Sequence, residues 1–387
     1  MTFSRRLPPD PEPNALSRTL AALRAQGADI FDLTESNPTR ADISYPEDLM
    51  APLGSAAALV YEPQPFGLLA ARTAVAEDQR RRGARVDPSQ VVLCASTSEA
   101  YSWLFKLLCD AGEGVLVPHP SYPLFEHLTA LDGVRAYPYA LEYHGRWSID
   151  TDSMAAAPAG VRAVIVVSPN NPTGSYISAG ELDRVSDLCR ERRWVLISDE
   201  VFADYPLEAV DPVTDIASRS DFVSFTLAGL SKTVGLPQMK LAWLIAGGRH
   251  DERHAALDAL ELVADTYLSV GTPVQIAAQG LLGEGSCVRA AIHARIRENL
   301  AVVRSAVGAY PACDVLRTEG GWSAVLRVPS TRTEERLVVD LLDAERILVH
   351  PGYFFDFPHE AYLVVSLLPP SRRFGDAIAR LLRFVNS

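Results

Sequence analysis

The stretch Ala163-Val164-Ile165-Val166-Val167-Ser168-Pro169-Asn170-Asn171-Pro172-Thr173-Gly174 passes directly from five apolar residues to a polar turn. A continuous apolar run of this length suits a strand buried on both faces, as in parallel sheets. Val91-Val92-Leu93, Gly114 to Val117, Trp194 to Ile197 and Leu241 to Ile245 have the same character. Between them, Ser98 to Cys109 and Ala179 to Arg193 are amphipathic at helical spacing. Strand–helix–strand alternation predicts an α/β chain with a mainly parallel sheet wrapped by helices.

Active groups in such sheets gather at the carboxyl ends of strands. Four of these runs end in a polar cluster, Ser96-Thr97-Ser98, Pro120-Ser121-Tyr122, Asn170-Asn171-Pro172 and Asp199-Glu200, and Ser231-Lys232 follows the strand-like run Phe222 to Phe225. One polar cluster per strand end is hard to explain as packing.

The chain ends read differently. A proline-rich arm precedes a helix from Ala15 to Gln26. After Gly285 come a long helix (Val288 to Ala309), a strand (Ala324 to Val328), a helix (Glu334 to Ala344) and a strand (Tyr362 to Leu367). These ends predict a smaller α+β domain. The expected division is residues 1–45 as arm and part of the small domain, 46–284 as the large domain, and 285–387 as the C-terminal small domain.

Composition narrows the function classes. The net charge of −12 disfavours a general nucleic-acid role, since phosphate backbones are bound through basic surface. The five cysteines are scattered, with no CxxC and no histidine at metal spacing, so buried thiols and no metal are expected. No apolar stretch reaches transmembrane length and the N-terminus lacks a signal-peptide core, which points to a cytoplasmic protein.

Of the 36 basic residues only Lys106, Lys232 and Lys240 are lysine. In so arginine-rich a chain, lysine is either residual surface or present where a primary amine is needed. An amine can lose its proton and form an imine; a guanidinium cannot. If Lys232 holds pyridoxal 5′-phosphate as an imine, the ring nitrogen needs a buried carboxylate, the phenolic oxygen a donor and the phosphate an anion site. Asp199 ends a buried strand and suits the first role, its plain alternative being an acidic N-cap. Asn171 could donate to the phenolic oxygen or simply form a turn. Tyr122 could stack on the ring or pack in the core. Ser96, Thr97 and Ser98 could bind phosphate at a helix N-terminus, or serve as an ordinary N-cap at Ser98.

In this order, Tyr61…Gly67, Ser96-Thr97-Ser98-Glu99-Ala100, Pro120-Ser121-Tyr122, Asn171-Pro172-Thr173-Gly174, Asp199-Glu200 and Ser231-Lys232 resemble the class I/II aminotransferases, the aspartate-aminotransferase-like superfamily. The resemblance runs from Leu33 to about Leu367. It implies the fold type I of pyridoxal-phosphate-dependent transferases, with a seven-stranded-type sheet in the large domain. It also implies an enzyme moving an amino group between an amino acid or amine and a 2-oxo acid, through the Lys232 imine and a pyridoxamine form. It assigns the imine and proton shuttle to Lys232, the pyridinium partner to Asp199, the phenolic-oxygen donor to Asn171 and the stacking ring to Tyr122. Ser96 to Ser98 would hold the phosphate. Tyr61 would reach the phosphate of a partner subunit, which implies a homodimer with shared sites. The arm at residues 1–14 could also cross to that partner.

Four departures accompany the resemblance. Lys240 stands where the family usually has a phosphate-gripping arginine, Gly229 where it often has serine, and Phe202 where it usually has tyrosine. Val364 stands where it normally clamps the substrate carboxylate with arginine. Ser36 and Arg40 are the expected substitutes at the substrate, with Arg372 and Arg373 next. The run Tyr353-Phe354-Phe355-Asp356-Phe357 could wall the site or pack in the core. A β-lyase or decarboxylase on the same scaffold is the alternative, and a non-catalytic cofactor-binding sensor the remote one.

Overall fold

The computed structural model describes residues 4–8, 12–209, 216 and 222–387. Part of the N-terminal arm, residues 1–3 and 9–11, therefore lies outside the described residues. Along the chain run α1 (Ala15–Ala25), β1 (Phe31–Asp32), α2 (Leu69–Arg81), β2 (Val91–Cys94), α3 (Thr97–Leu108), β3 (Gly114–His119) and α4 (Leu124–Asp132). Then come β4 (Arg135–Tyr143), β5 (Trp147–Ile149), α5 (Thr151–Ala155), β6 (Val161–Val167), α6 (Ala179–Arg192), β7 (Val195–Asp199), β8 (Ser224–Gly229), α7 (Leu230–Thr233) and β9 (Ala242–Gly247). The last third holds α8 (His250–Tyr267), α9 (Thr272–Glu284), α10 (Ser286–Val307), β10 (Asp314–Val315), β11 (Ser323–Arg327), α11 (Glu334–Glu345), β12 (Ile347–Leu348), β13 (His350–Pro351), β14 (Tyr362–Ser366) and α12 (Ser371–Val385).

The large sheet has the order β2-β9-β8-β7-β6-β3-β4-β5. Its centre, β8 through β4, is parallel, whereas β9 lies antiparallel to both β2 and β8. Each apolar run expected as a strand forms one, and β7, β8 and β9 are almost wholly buried. The eighth strand, β5, is a short edge piece hairpinned antiparallel to β4. The parallel order sets the carboxyl ends of β6, β7 and β8 side by side, with Val167 opposite Asp199 and Asp199 opposite Leu227.

A second sheet, β10-β11-β14-β13, is antiparallel throughout. β1 from the N-terminal segment pairs in parallel with β12, so the two ends of the chain meet in one layer. α12 buries Phe374, Ile378, Leu381 and Leu382 along one stripe, the spacing of a helix docked on a core. No helix among the described residues is long and apolar enough to cross a membrane.

The turn after β6 ties the two sheets together. Gly174 has φ +73°, and a Cβ there would sit 2.6 Å from the Gly320 carbonyl oxygen. Its own carbonyl accepts from the backbone N–H groups of Glu319 and Gly320, at 3.2 and 2.8 Å. Only glycine combines that dihedral with so close a backbone approach. The loop leading to Trp322 and Ser323 is thereby held against the end of β6.

Candidate active site

A cavity of about 380 Å³ opens at the carboxyl ends of β6, β7 and β8. Lys232, Asp199, Asn171, Tyr122, Ser36 and the trio Ser96, Thr97 and Ser98 all line it. Ser36 and Lys232, 196 positions apart in sequence, thus share one space.

Lys232 sits in α7, the short helix that follows β8, and its backbone carbonyl accepts from the Tyr205 hydroxyl at 2.6 Å. Its Nζ lies 4.7 Å from the ring centre of Trp322 and 5.5 Å from that of Phe202. Burial lowers its pKa to about 8, against a smaller opposing pull from Glu35. Relative to an ordinary lysine at 10.5, the free-amine fraction at pH 7 is about 300-fold larger. This is the state a nucleophilic amine needs.

Asp199 closes β7. Burial raises its pKa to about 6, opposed by hydrogen bonds and reinforced by the neighbouring Glu200. The Tyr101 hydroxyl donates to Oδ2 at 2.8 Å and the Val201 N–H to Oδ1 at 3.1 Å. No cation among the described residues pairs with it. Glu200 differs: Arg82 forms a buried ion pair with it at 2.5 Å. A buried carboxylate facing a cavity without a cation is a receptor for one.

Asn170 and Asn171 separate cleanly. Asn170 is structural, donating to Pro120 O and Thr173 Oγ1 and accepting from Ser121 Oγ. Asn171 follows it and precedes Pro172 through a cis bond. Its Oδ1 accepts from Ser323 Oγ at 3.5 Å, and its amide nitrogen has no described protein partner. Also on the cavity wall, Ser96 rather than Ser98 caps α3, accepting from the Glu99 N–H at 3.2 Å. Thr97 and Ser98 occupy the first turn, where unpaired N–H groups and hydroxyls favour an anion.

Other expectations are placed elsewhere. Lys240 does not line the cavity; it is exposed in a left-handed conformation (φ +49°), although its charge acts on Cys94 at the end of β2. Arg40 is exposed and does not reach the cavity. Asn37 caps the turn that carries it, burying Pro38 and leaving Thr39 and Arg40 outward. Arg372 and Arg373 face Asp42 and Asp29 at the surface. Tyr61 is 74% exposed and borders a separate crevice with Trp103 and Leu268. The aromatic run is divided: Phe355 lines the cavity, while Phe357 packs edge-on against Trp147.

Val364 and Phe202 both line the cavity, so with Gly229 three of the four departures lie within the site. Gly229 lines it too, and a Cβ there would come within 2.8 Å of Ala242 Cβ. Tyr101, Trp322, Ser323, His350 and Ser366 were not anticipated. Trp322 follows the paired glycines Gly320-Gly321, a signal of close backbone approach that could have drawn notice. The others carry no local signal.

A family model described as aminotransferase class I and II matches residues 58–370. An alanine aminotransferase of Mycobacterium tuberculosis is 28% identical over 379 residues, covering 95% of this chain and 88% of its own length. The glutamate-pyruvate aminotransferase AlaA of Haemophilus influenzae is 25% identical over 377 residues, covering 94% and 92%. Among solved structures, an alanine aminotransferase from Pyrococcus furiosus superposes with a TM-score of 0.88 at 23% identity, covering all of both chains. A Thermus thermophilus aspartate aminotransferase mutant gives 0.85 at 22% identity, covering 99% and 100%.

Proposed function

The chain belongs to the class I and II aminotransferase family and is an aminotransferase, and on that premise we propose that it works with pyridoxal 5′-phosphate held at Lys232. The observation that carries this reading is the pairing, in one cavity, of a weakly basic lysine with a buried carboxylate that lacks a cation. These residues fit the cofactor: an amine for its aldehyde, an acid for its ring nitrogen and a helix N-terminus for its phosphate. When bound, pyridoxal phosphate supplies an electron-accepting ring conjugated to an imine carbon.

The chain's own groups do the rest. Lys232 moves a proton between its Nζ and the substrate α-carbon, which suits an amine whose pKa lies close to neutrality. Asp199 holds the proton on the ring nitrogen, and Tyr101 and the Val201 N–H fix the carboxylate for that contact. Asn171 donates its free amide N–H groups to the phenolic oxygen. Ser96, Thr97 and Ser98 hold the phosphate at the start of α3. Trp322, Phe202 and Phe355 exclude water, and Tyr122 covers the exposed ring face.

The amino donor in this reading is a small amino acid such as alanine, or glutamate, with a 2-oxo acid as acceptor. The names of the relatives support this, as does the modest, largely apolar cavity. We assign residues 46–284 to the cofactor domain and the two ends to the smaller one. A homodimer is the proposed assembly, with Tyr61 serving the partner's phosphate site. Leu59, Val60, Tyr61, Leu262 and Tyr267 are apolar and at least half exposed, which suits a covered face.

Borohydride reduction of the cofactor-loaded protein, followed by peptide mapping, tests the assignment. The reduced cofactor should be recovered on the Lys232 peptide and be missing from Lys232→Ala protein. Recovery on Lys106 or Lys240 would refute it.

A further inference from the structure

The cavity's polar groups are unevenly supplied. Among the described residues it is lined by many hydroxyls and one acid, yet by no arginine, and its basic nitrogens belong to Lys232 and His350 alone. Lys232 reacts as a free amine and cannot also be a fixed partner for a substrate anion. A carboxylate entering a space walled by Trp322, Phe355 and Val364 loses its water and needs a donor in exchange.

His350 is the basic side chain that remains. It lies in β13 directly opposite Val364 of β14 in the antiparallel register. The alternation along β14 brings Val364 and Ser366 to the same wall. The imidazole is held between Phe354 and Phe355, each at 5.6 Å between ring centres, the second nearly perpendicular. Neither ring nitrogen has a hydrogen-bond partner among the described residues, and Nδ1 is buried. A proton on Nδ1 would bury an unpaired N–H, and an imidazolium would bury an unpaired charge as well. The neutral ring with its proton on Nε2 avoids both. Burial lowers the basicity of His350, with Asp32 pulling the other way, in keeping with a neutral ring.

We propose that His350 recognises the carboxylate of the substrate, donating from Nε2 at the wall that Val364 leaves without charge. The inference rests on the aminotransferase reading of this cavity. A neutral imidazole gives one hydrogen bond where a guanidinium gives a fork, so the site selects carboxylates without gripping them tightly.

The test separates the carboxylate from the amine. Propionate carries the first group and ethylamine the second. Binding of each to the cofactor-loaded protein is measured by calorimetry in wild type, His350→Phe and His350→Gln. A hydrogen bond to a charged group corresponds to about 10- to 150-fold in affinity. His350→Phe should therefore weaken propionate by about 10- to 150-fold, while His350→Gln, which keeps an N–H donor, stays within about tenfold of wild type. Ethylamine should change less than about threefold in either variant, and the KM for L-alanine should rise far more than kcat falls. Propionate binding unchanged in His350→Phe, equal weakening of both probes, or no propionate binding to wild type would each overturn the proposal. Failure of the functional reading looks different: propionate binding that depends on His350 in a protein that transfers no amino group.

Discussion

Replacing Tyr101 by phenylalanine should remove one hydrogen bond and little else. The side chain is 3% exposed, and its ring packs edge-on against Phe125 with centres 5.4 Å apart, a contact phenylalanine keeps. Its hydroxyl donates to Asp199 Oδ2 at 2.8 Å. Hydrogen bonds to charged groups contribute about 1.5–3 kcal/mol, and 1.36 kcal/mol corresponds to one pKa unit. The Asp199 pKa should therefore rise from about 6 by roughly one to two pH units. At pH 7 its ionised fraction would fall from about nine-tenths to between roughly a tenth and a half. In the proposed reading an ionised Asp199 holds a protonated ring nitrogen, so its contribution to cofactor affinity would be present above the carboxyl pKa and lost as pH falls through it. The assay is cofactor affinity by tryptophan fluorescence from pH 5 to 9 in wild type, Tyr101→Phe and Asp199→Asn. Ionisations of the cofactor are common to all three, so ratios to Asp199→Asn isolate the carboxyl. The wild-type ratio should lose its advantage with a midpoint near pH 6, and the Tyr101→Phe ratio near pH 7–8. Coincident midpoints would refute the reasoning.

Two further outcomes follow from the same packing. In cofactor-free protein the folded Asp199 carboxyl titrates near 6 against 3.8 unfolded, so wild type loses stability relative to Asp199→Asn as pH rises through that window. Denaturant unfolding should show almost no difference from this source at pH 2–3 and up to about 3 kcal/mol in favour of the variant at pH 7; the opposite slope would contradict the burial argument. Gly229→Ser forces a Cβ to within 2.8 Å of Ala242 Cβ in extended backbone, and should cost about 1–3 kcal/mol by overpacking. An unchanged unfolding midpoint would show that β8 and β9 can part to admit it.

The central sheet and much of the site were legible because buried strands are continuous apolar runs, and their polar ends stand out against them. Lys232 was conspicuous for a compositional reason, since only three lysines compete for attention. β4 was missed: Pro138 interrupts it and much of it is only partly buried. Tyr101 lies inside the amphipathic α3, where an aromatic reads as core; only the fold brings its hydroxyl to Asp199. His350 and Val364 meet through a strand register between segments separated by a loop, which no local pattern encodes. The family resemblance places Arg40 and Lys240 beside the site. Arg40 is exposed in a turn capped by Asn37, and Lys240 is an exposed left-handed residue outside the cavity lining. The dearth of cations in the cavity is a property of the fold, because this sequence has arginines in abundance.

In the proposed reaction this cavity exchanges an amino group between the substrate and pyridoxal phosphate. The direct measurement mixes purified cofactor-loaded protein with L-alanine alone and follows the visible absorbance together with pyruvate, ammonia and carbon dioxide. One pyruvate per site, loss of the yellow colour without release of ammonia or carbon dioxide, and return of the colour on adding 2-oxoglutarate are expected. Continuous product release with ammonia or carbon dioxide, the colour persisting throughout, would contradict it.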